Sequence, residues 1–370
     1  MDQHEMYMKH ALALAESAMG HTSPNPMVGC VVVKDGKIVA EGCHERYGEF
    51  HAERNALTRC TEDVSGAAMY VTLEPCCHTG KTPPCTDIII ERKIGKVYVG
   101  AMDPNPKVAG NGVRILKEHG IEVETGILEE DCLRLNEIFF YYICTGIPFV
   151  AMKYAMTLDG KIACFTGDSK WVTGEKAREH VHVLRKKYSA IMAGVDTVIA
   201  DDPMLNCRIE EGVDPVRVIC DSHLRLPPES RLVKSADRIR TIVAYAEGAD
   251  EDAKKRLETT GVELLKIENE EQVSLPRLFE ELGKRKIDSV LVEGGGTLHG
   301  SLLASGCVNR VYAYIAPKLV GGCEAKSPVG GRGIERMADA KGLSDIEILS
   351  LGEDICMTGR MEAQGCLRES

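Results

Sequence analysis

Residues 74–85 read EPCCHTGKTPPC, a stretch that holds three cysteines and one histidine within twelve positions. Four side chains there could bind a transition metal, namely Cys76, Cys77, His78 and Cys85. Thiolates and imidazoles are the ligands that zinc prefers in proteins. The stretch therefore predicts a zinc site in the first half of the chain, and it leaves open which of these side chains the metal uses.

A second element of the predicted site precedes this stretch. Residues 50–56 read FHAERNA and place His51 and Glu53 at the start of a predicted helix. His-x-Glu followed by Pro-Cys and a further cysteine is the signature of zinc deaminases that act on nucleobases. Thr79 stands where the short Cys-x-x-Cys spacing would put the second cysteine, and in this chain that cysteine comes later, at Cys85.

The chemistry of hydrolytic zinc explains these residue types. A catalytic zinc keeps three protein ligands and one open position for water, whose pKa it lowers towards neutrality. A carboxylate that lies beside the metal without binding it can move protons, and Glu53 is the candidate for that role. A structural zinc site is the alternative, but such a site is closed by four ligands and needs no glutamate. The combined motifs favour a catalytic site.

The composition indicates a globular protein that acts on small molecules. The chain has 370 residues, of which 44% are apolar and 27% charged, and its formal net charge is −11. A negative field repels nucleic acid and anionic membranes, and no apolar run reaches the roughly 18 residues of a membrane span. The N-terminus lacks the features of a signal peptide. The 15 cysteines are odd in number, which indicates a reducing compartment, the cytoplasm.

Alternating strand and helix patterns predict an α/β fold in two domains. A hairpin turn is expected at Asp35-Gly36, and helices are expected on both faces of each sheet. Residues 129–146, EEDCLRLNEIFFYYICTG, are expected to form one amphipathic helix that closes the first unit. The Gly146-Ile147-Pro148 step predicts a linker, which divides the chain into residues 1–147 and 148–370. Residues 363–370 are expected to fray.

The second half carries a glycine-rich turn late in its sequence. No Gly-x-Gly-x-x-Gly follows its first predicted strand, so a Rossmann domain fits poorly. A buried-type strand instead runs into Gly294-Gly295-Gly296 and then a helix, where bare backbone N–H groups can approach a phosphate. A tight strand-to-helix turn is the alternative. Glu293 at the end of the strand favours function, because α/β sheets bind ligands at the carboxyl ends of their strands.

The motifs together resemble one known family. TSPNPMVGCVVV, HAERNAL, TLEPCCHTGKTPPCTDIII and AMDPNPKVAGNG are similar to the deaminase domain of the RibD family of bifunctional riboflavin-biosynthesis enzymes. KYAMTLDGKIA, SKWVT, AGVDTVIADDPMLNCR and EGGG are similar to the reductase domain of the same family. The resemblance covers nearly the whole chain. It implies an N-terminal cytidine-deaminase-like three-layer α/β/α domain and a C-terminal dihydrofolate-reductase-like α/β domain.

For the first domain, the resemblance implies the zinc ligands and the proton shuttle. The implied Zn²⁺ ligands are His51, Cys76 and Cys85, and the implied catalytic residue is Glu53. The residues that it places near the substrate are Asn25, His44, Lys81 and Thr82. Cys77 becomes a spare thiol. Two roles stay open for His78, which could face the phosphorylated ribosyl group or hydrogen-bond to its own loop backbone.

For the second domain, the resemblance implies NADPH as the cofactor. The implied cofactor contacts are Ala155, Trp171, Thr197, Asp201, Ser222, Gly295, Gly296, Thr297, Leu298, His299, Gly300 and Ser301. The implied substrate contacts are Ser169, Arg185, Leu205, Arg208 and Glu293, with Lys153 near the sugar. Two arginines suit a ribose 5′-phosphate because guanidinium groups donate charge-assisted, bidentate hydrogen bonds. A solvated helix face is the alternative for Arg185, and ordinary turn chemistry is preferred for Asp159.

We therefore expect a bifunctional enzyme of riboflavin biosynthesis. The first domain would deaminate 2,5-diamino-6-(5-phosphoribosylamino)pyrimidin-4-one, and the second would reduce the ribosyl group of 5-amino-6-(5-phosphoribosylamino)uracil to ribityl. The expected partners are this phosphoribosylated pyrimidine and further copies of the chain, as a dimer or tetramer, with no nucleic acid and no membrane. The alternatives are a nucleic-acid or nucleoside deaminase with a non-catalytic second domain, and a zinc-stabilised binding module without activity.

Overall fold

Two structural units follow one another along the chain, Met1–Gly146 and Ile147–Ser370. The computed structural model describes residues 2–105, 108–268 and 271–361, so the predicted frayed segment, residues 363–370, lies outside the described residues. Among the residues that are described, no helix is long and apolar enough to cross a membrane.

The first unit is built on a five-stranded sheet. Its strands are β1 (Gly29–Lys34), β2 (Lys37–Cys43), β3 (Ala68–Leu73), β4 (Lys96–Ala101) and β5 (Glu122–Thr125), in the order β2-β1-β3-β4-β5. Its helices are α1 (Gln3–Ser17), α2 (Ala52–Arg59), α3 (Cys85–Glu91), α4 (Asn111–Glu118), α5 (Glu129–Leu135) and α6 (Glu137–Thr145). β1 is antiparallel to both neighbours, whereas β3, β4 and β5 are parallel and connected through helices. The predicted hairpin forms at Asp35 and Gly36, whose φ angles of 50° and 76° suit the right-handed twist of the strands.

The expectation of a single helix over residues 129–146 is wrong, because Asn136 separates α5 from α6. Asn136 is 3% exposed, and its side chain binds the backbone of Met27 in both directions. Oδ1 accepts from the Met27 N–H at 2.8 Å, and Nδ2 donates to the Met27 carbonyl oxygen at 2.8 Å. These two buried hydrogen bonds fix Asn136 at a non-helical φ of −106°.

The second unit is built on a nine-stranded sheet. Its strands are β6 (Phe149–Thr157), β7 (Ala190–Gly194), β8 (Val216–Cys220), β9 (Thr241–Tyr245), β10 (Glu263–Lys266), β11 (Ser289–Val292), β12 (Arg310–Ala316), β13 (Leu343–Leu351) and β14 (Asp354–Met361). Its helices are α7 (Glu175–Lys187), α8 (Val195–Asp201), α9 (Arg231–Lys234), α10 (Glu251–Glu258), α11 (Leu275–Lys284) and α12 (Gly296–Ser305), with a 3₁₀ turn at Met337–Asp339. The sequence patterns did not single out β10, β13 or β14.

Strand order positions the candidate site of this unit. The order is β10-β9-β8-β7-β11-β6-β12-β14-β13, with parallel pairing from β10 to β12 and antiparallel pairing beyond. Along β7, Ile191 and Ala193 belong to one apolar cluster and Met192 to another, so the sheet is covered on both faces as predicted. The carboxyl ends of β6, β7, β8 and β11 meet at one edge, where such sheets bind ligands.

Candidate active sites

The two ends of the EPCCHTGKTPPC stretch meet beside the start of α2. His51 caps α2, and Cys85 is the first residue of α3. Nδ1 of His51 lies 3.4 Å from Sγ of Cys76 and 3.5 Å from Sγ of Cys85, and the three ligand atoms lie within 4.8 Å of one another. The N–H groups of Cys85 and Thr86 donate to the Cys76 carbonyl oxygen at 3.0 and 3.2 Å. These bonds close the intervening residues into a loop and hold both thiols beside the imidazole.

The two thiols of this cluster differ in their protonation. Hydrogen bonds from Cys85 and His51 lower the pKa of Cys76 to about 4. The hydrogen bond to Cys76, together with burial, raises the pKa of Cys85 well above its usual value. A second thiolate therefore needs a cation beside it, which a divalent metal supplies. One imidazole and two thiolates that leave a fourth position open are a ligand set that fits catalytic zinc.

Glu53 completes the cluster without being one of its three ligand-type groups. It lies in the first turn of α2, is 3% exposed, and hydrogen-bonds with the Cys85 thiol. Burial, followed by repulsion from the Cys76 thiolate, raises the pKa of Glu53 to about 7. A carboxyl group that exchanges its proton near neutral pH suits general acid–base catalysis.

Asn25 and His44 lie together beside the cluster. The His44 ring meets the His51 ring edge-on, with 5.2 Å between the ring centroids. Nδ1 of His44 lies 3.0 Å from the carbonyl oxygen of Phe50, so Nδ1 carries a proton and donates it. Nε2 then accepts from the Asn25 amide nitrogen at 3.1 Å, which leaves the Asn25 amide oxygen to face other groups as an acceptor. Burial lowers the pKa of His44 and so favours this neutral arrangement.

The loop between the thiols carries the other predicted substrate groups. Lys81 is exposed, and its Nζ lies 3.9 Å from the centre of the Tyr47 ring. Thr82 is half-buried, and its carbonyl oxygen accepts from the Gly80 N–H at 3.2 Å. A lysine that rests on an aromatic face keeps its positive charge at the rim of the site, where it can meet an anionic substrate group.

His78 and Cys77 do not join the metal cluster. Nδ1 of His78 is buried without a hydrogen-bond partner among the described residues, so the alternative of a backbone hydrogen bond does not hold for that nitrogen. Burial raises the pKa of the Cys77 thiol, which disfavours the thiolate that a metal requires.

Glu74 is a residue of this region that the sequence patterns did not single out. It is 3% exposed, and its carboxylate accepts three backbone N–H groups, from Asp103 at 3.4 Å, Gly110 at 3.0 Å and Val113 at 3.1 Å. A Cβ added to Gly112 would lie 2.1 Å from the Pro75 carbonyl oxygen. The start of α4 is therefore packed directly against the backbone that precedes the first thiol ligand. The acidic residue before Pro-Cys was the available signal.

In the second unit, Glu293 joins two of the predicted substrate residues. Its carboxylate accepts from Arg185 Nε at 2.8 Å and Nη2 at 3.0 Å, and from Lys153 Nζ at 3.4 Å. The exposed fractions of the three side chains are 14% for Lys153, 12% for Arg185 and 9% for Glu293. The two cations lower the pKa of Glu293 to about 2 despite its burial. Arg185 is therefore not a solvated helix residue, and its bidentate edge is used by Glu293 instead of being free for a phosphate.

Leu205 and Arg208 lie on a segment whose backbone is constrained. Leu205 has a φ of 47°, in the left-handed region that non-glycine residues rarely adopt. The carbonyl oxygen of Met204 accepts from Arg217 Nη1 at 3.3 Å, and that of Asn206 accepts from Arg185 Nη1 at 2.9 Å. The buried guanidinium group of Arg217 and the nearly buried one of Arg185 thus hold the backbone on either side of Leu205. The fully buried Arg217 was not anticipated from the sequence.

The glycine-rich turn forms the start of α12, as the sequence predicted. A Cβ at Gly295 would meet only Thr197 Oγ1, at 3.7 Å, so the bare backbone here is open to a ligand beside Thr197. A Cβ at Gly296 or Gly300 would instead lie 2.8 Å or 2.3 Å from a backbone oxygen of the segment 327–330. The first N–H groups of a helix have no partner within the helix and can bind a dinucleotide phosphate. Close packing against the backbone of residues 327–330 is sufficient to explain why positions 296 and 300 are glycine.

The other predicted cofactor residues differ in what their side chains do. Thr297 and Asp201 are exposed, and Ala155 and Leu298 are half-buried. His299 donates from Nδ1 to the Pro328 carbonyl oxygen at 2.9 Å, Ser301 donates to the Thr297 carbonyl oxygen at 3.1 Å, and the Ser222 hydroxyl accepts from the Val273 N–H at 3.1 Å. The side chains of His299, Ser301 and Ser222 thus hydrogen-bond to the protein backbone. Their assignment to the cofactor stays a prediction.

The loop that contains Ser169 and Trp171 is tied to a distant segment. Trp171 is 63% exposed, and its carbonyl oxygen accepts from Lys318 Nζ at 2.9 Å. Asp159 accepts from the N–H of Val320 at 3.2 Å and of Gly321 at 2.6 Å. Asp159 shows the expected turn chemistry, since it accepts from the Thr157 hydroxyl at 2.5 Å, and its carboxylate also joins two segments that are far apart in sequence.

The fold and the two clusters define a class of protein, in which a zinc-dependent deaminase unit precedes an NADPH-dependent reductase unit. A profile described as the cytidine and deoxycytidylate deaminase zinc-binding region matches residues 1–101, and one described as the RibD C-terminal domain matches residues 148–357. The chain belongs to the RibD family. It is 54% identical over 355 residues to the riboflavin biosynthesis protein RibD of Actinobacillus pleuropneumoniae, covering 95% of this chain and 93% of that relative.

Solved structures agree with this membership. A Thermotoga maritima diaminohydroxyphosphoribosylaminopyrimidine deaminase/5-amino-6-(5-phosphoribosylamino)uracil reductase is 40% identical, with a TM-score of 0.86 over 97% of this chain and 99% of that one. Acinetobacter baumannii RibD is 38% identical, with a TM-score of 0.86 over 98% of this chain and 99% of that one. The protein is a bifunctional enzyme of riboflavin biosynthesis, a deaminase and a reductase that act on small molecules with zinc and NADPH as cofactors. The expectation of a bifunctional enzyme is confirmed, and the zinc-stabilised binding module is excluded.

Proposed function

We propose that the first domain, residues 1–147, deaminates 2,5-diamino-6-(5-phosphoribosylamino)pyrimidin-4-one, and that the second, residues 148–370, reduces the ribosyl group of the resulting 5-amino-6-(5-phosphoribosylamino)uracil. The names of both activities are those of the similar Thermotoga maritima enzyme. The observation that carries the proposal is the presence of two separate polar clusters, one in each unit. The first places three zinc-ligand side chains beside the buried carboxyl group of Glu53, and the second places two cations beside the carboxylate of Glu293.

In the first site, His51, Cys76 and Cys85 would hold zinc, which when bound acidifies and orients the attacking water. Glu53 takes the proton that this water loses and delivers it to the exocyclic amine, which leaves as ammonia. A pKa near neutrality supports both directions of transfer. Asn25 orients the pyrimidine through the amide oxygen that its hydrogen bond to His44 leaves available.

Lys81 and Thr82 face the phosphoribosyl end of this substrate. Lys81 is exposed, and its position over Tyr47 holds the ammonium group without neutralising it. A phosphate is a suitable counterpart for such a point charge. The loop between Cys76 and Cys85 is therefore assigned to the substrate, and only its two ends are assigned to the metal.

In the second site, NADPH, when bound along Thr197 and residues 295–301, supplies the hydride of the reduction. Opening the ribosyl ring frees its oxygen, which needs a proton. Lys153 is assigned to deliver that proton, because Glu293 holds its ammonium group in a half-buried position. Arg185 positions Glu293 through two hydrogen bonds, and Arg208 binds the 5′-phosphate.

Several finer points belong to the same proposal. We infer that the enzyme works in the cytoplasm as a homo-oligomer, without nucleic-acid partners. The net charge of −11 disfavours polyanions. β13 lies at the edge of the large sheet, and Ile346 and Ile348 on it are 55% and 60% exposed. An apolar edge strand of this kind favours pairing with a second copy of the chain.

Glu53→Gln tests whether the two reactions have separate sites. Glutamine keeps the volume of Glu53 but cannot take up the proton, so deamination should fall by at least about 10²-fold, the usual contribution of a general acid–base group. Zinc content, and NADPH oxidation with pre-deaminated substrate, should stay at the wild-type level. Glu45→Gln, at a half-buried position of the same unit, is the control and should leave both activities intact. Loss of both activities in folded Glu53→Gln protein would contradict the proposal.

A further inference from the structure

His182 is a residue of the reductase unit to which neither the sequence patterns nor the proposed function gives a role. It lies on α7, three positions before Arg185, and contacts Arg208, which is on the same segment as Leu205. The backbone N–H of Arg208 points at Nδ1 of His182 at 3.3 Å, and the side-chain Nε of Arg208 points at Nε2 at 3.3 Å. The carbonyl oxygen of His182 also accepts from the Cys207 thiol at 3.4 Å.

The chemistry of the ring determines when these contacts can form. A neutral imidazole has one protonated and one unprotonated nitrogen, so only one of the two contacts is a hydrogen bond in each tautomer. The tautomer with its proton on Nδ1 accepts from Arg208 Nε and is the one that orients the guanidinium group. An imidazolium ion offers no acceptor. The charged groups around the ring are Arg185, Arg208, Lys153 and Glu293, and burial followed by the two arginines lowers the pKa of His182 to about 4. The ring is therefore a neutral acceptor at the pH values at which enzymes work.

The two arginines of this site are held in different ways. Arg185 is bound to Glu293 through a bidentate ion pair and to the Asn206 carbonyl oxygen. Arg208 is exposed and, among the described residues, makes no ion pair, and its Nε binds only the neutral His182. Its two terminal nitrogens are consequently oriented by His182 and retain their full charge. A phosphate binds well to such an edge, through two parallel hydrogen bonds.

We propose that His182 is a positioning residue that orients Arg208 for the 5′-phosphate of the reductase substrate and so makes the enzyme select phosphorylated over dephosphorylated ribosyl compounds. A histidine suits this role because a carboxylate at the same place would bind Arg208 more strongly but would also neutralise it. The inference rests on the proposed function only in assigning Arg208 to the phosphate.

The test compares His182→Phe, which keeps a ring but offers no nitrogen acceptor, with His182→Gln, which offers a neutral amide oxygen. For His182→Phe, the KM of the phosphorylated substrate should rise about tenfold, the factor that corresponds to about 1.4 kcal/mol, while kcat and the KM of NADPH stay close to wild type. His182→Gln should restore most of the affinity. Glu179→Leu, at an exposed position of α7, is the control and should change neither constant. His182→Leu replaces His182→Phe if the latter does not fold.

Two further measurements separate positioning from a general structural role. With the dephosphorylated substrate, His182→Phe should match wild type, and in an Arg208→Met background it should have no further effect. Equal losses on both substrates, or additive effects of the two substitutions, would overturn the role of His182. If Arg208→Met itself kept the preference for phosphate, the assignment of Arg208 in the proposed function would fail, and the inference with it. Wild-type behaviour of His182→Phe alongside a defective Arg208→Met would overturn the inference alone.

Discussion

Glu293→Gln is the substitution whose effect on stability can be worked out most directly. Glu293 lies between two nearly buried cations, with Arg185 Nε at 2.8 Å and Lys153 Nζ at 3.4 Å. Glutamine is a neutral substitute of nearly the same shape, so the substitution removes the charge and little else. Two cations that had a shared counter-ion in the folded state then lose it.

The pKa of Glu293 gives the size of this effect. It lies at about 2 in the folded protein, against an ordinary value of 4.5. Each pKa unit corresponds to about 1.4 kcal/mol, so ionised Glu293 stabilises the folded state by about 3 kcal/mol at neutral pH. Because the folded pKa is the lower one, this contribution is complete above pH 4.5 and is lost as the pH falls towards 2. The variant has no such group, so the stability difference should shrink to about 2 kcal/mol near pH 3.5.

Urea unfolding followed by tryptophan fluorescence measures the difference. Trp171 is the only tryptophan of the chain and lies in the second unit, so its emission reports on the unit that carries Glu293. Glu281→Gln is the matched control. Glu281 also contacts two cations, Lys284 at 2.7 Å and Arg285 at 2.6 Å, but its side chain is 33% exposed. Such partly exposed ion pairs of Glu281 should contribute less than about 1 kcal/mol to the free energy of unfolding. Equal destabilisation by the two substitutions, or a pH-independent difference, would refute this reasoning.

Two further predictions concern the metal cluster. The Cys85→Ser variant should lose zinc on dialysis, because Cys85 lies with His51 and Cys76 in the cluster. Cys77→Ser is the control and should keep the wild-type zinc content. Metal analysis that finds equal zinc in both variants would show that the ligand assignment is wrong. Gly112→Ala should destabilise the first unit by about 1–3 kcal/mol and weaken zinc binding, because the new Cβ would lie 2.1 Å from the Pro75 carbonyl oxygen. Gly80→Ala, where a Cβ meets nothing within 4 Å, should leave thermal melting and zinc content unchanged, and similar losses in both variants would argue against the packing explanation.

Local sequence patterns were sufficient where neighbouring residues decide the structure. The Asp35-Gly36 hairpin formed as expected because its two positive φ angles favour those residue types at any such turn. The break at Asn136 was missed because its cause, the backbone of Met27, lies more than a hundred positions away. The turn chemistry expected for Asp159 is present in its bond from Thr157, but its bonds from the N–H groups of Val320 and Gly321 were missed for the same reason.

The sequence by itself determined the class of chemistry, because zinc and acid–base catalysis require particular residue types, and His51, Glu53, Cys76 and Cys85 supply them in a recognisable order. It could not show which of two chemically identical side chains, such as Arg185 and Arg208, has which role. Only the tertiary structure showed that Glu293 occupies the fork of Arg185 while Arg208 rests on the neutral His182. The physical reason is that hydrogen-bond partners and burial depend on how distant strands and helices meet, whereas ligand chemistry depends on the side chain alone.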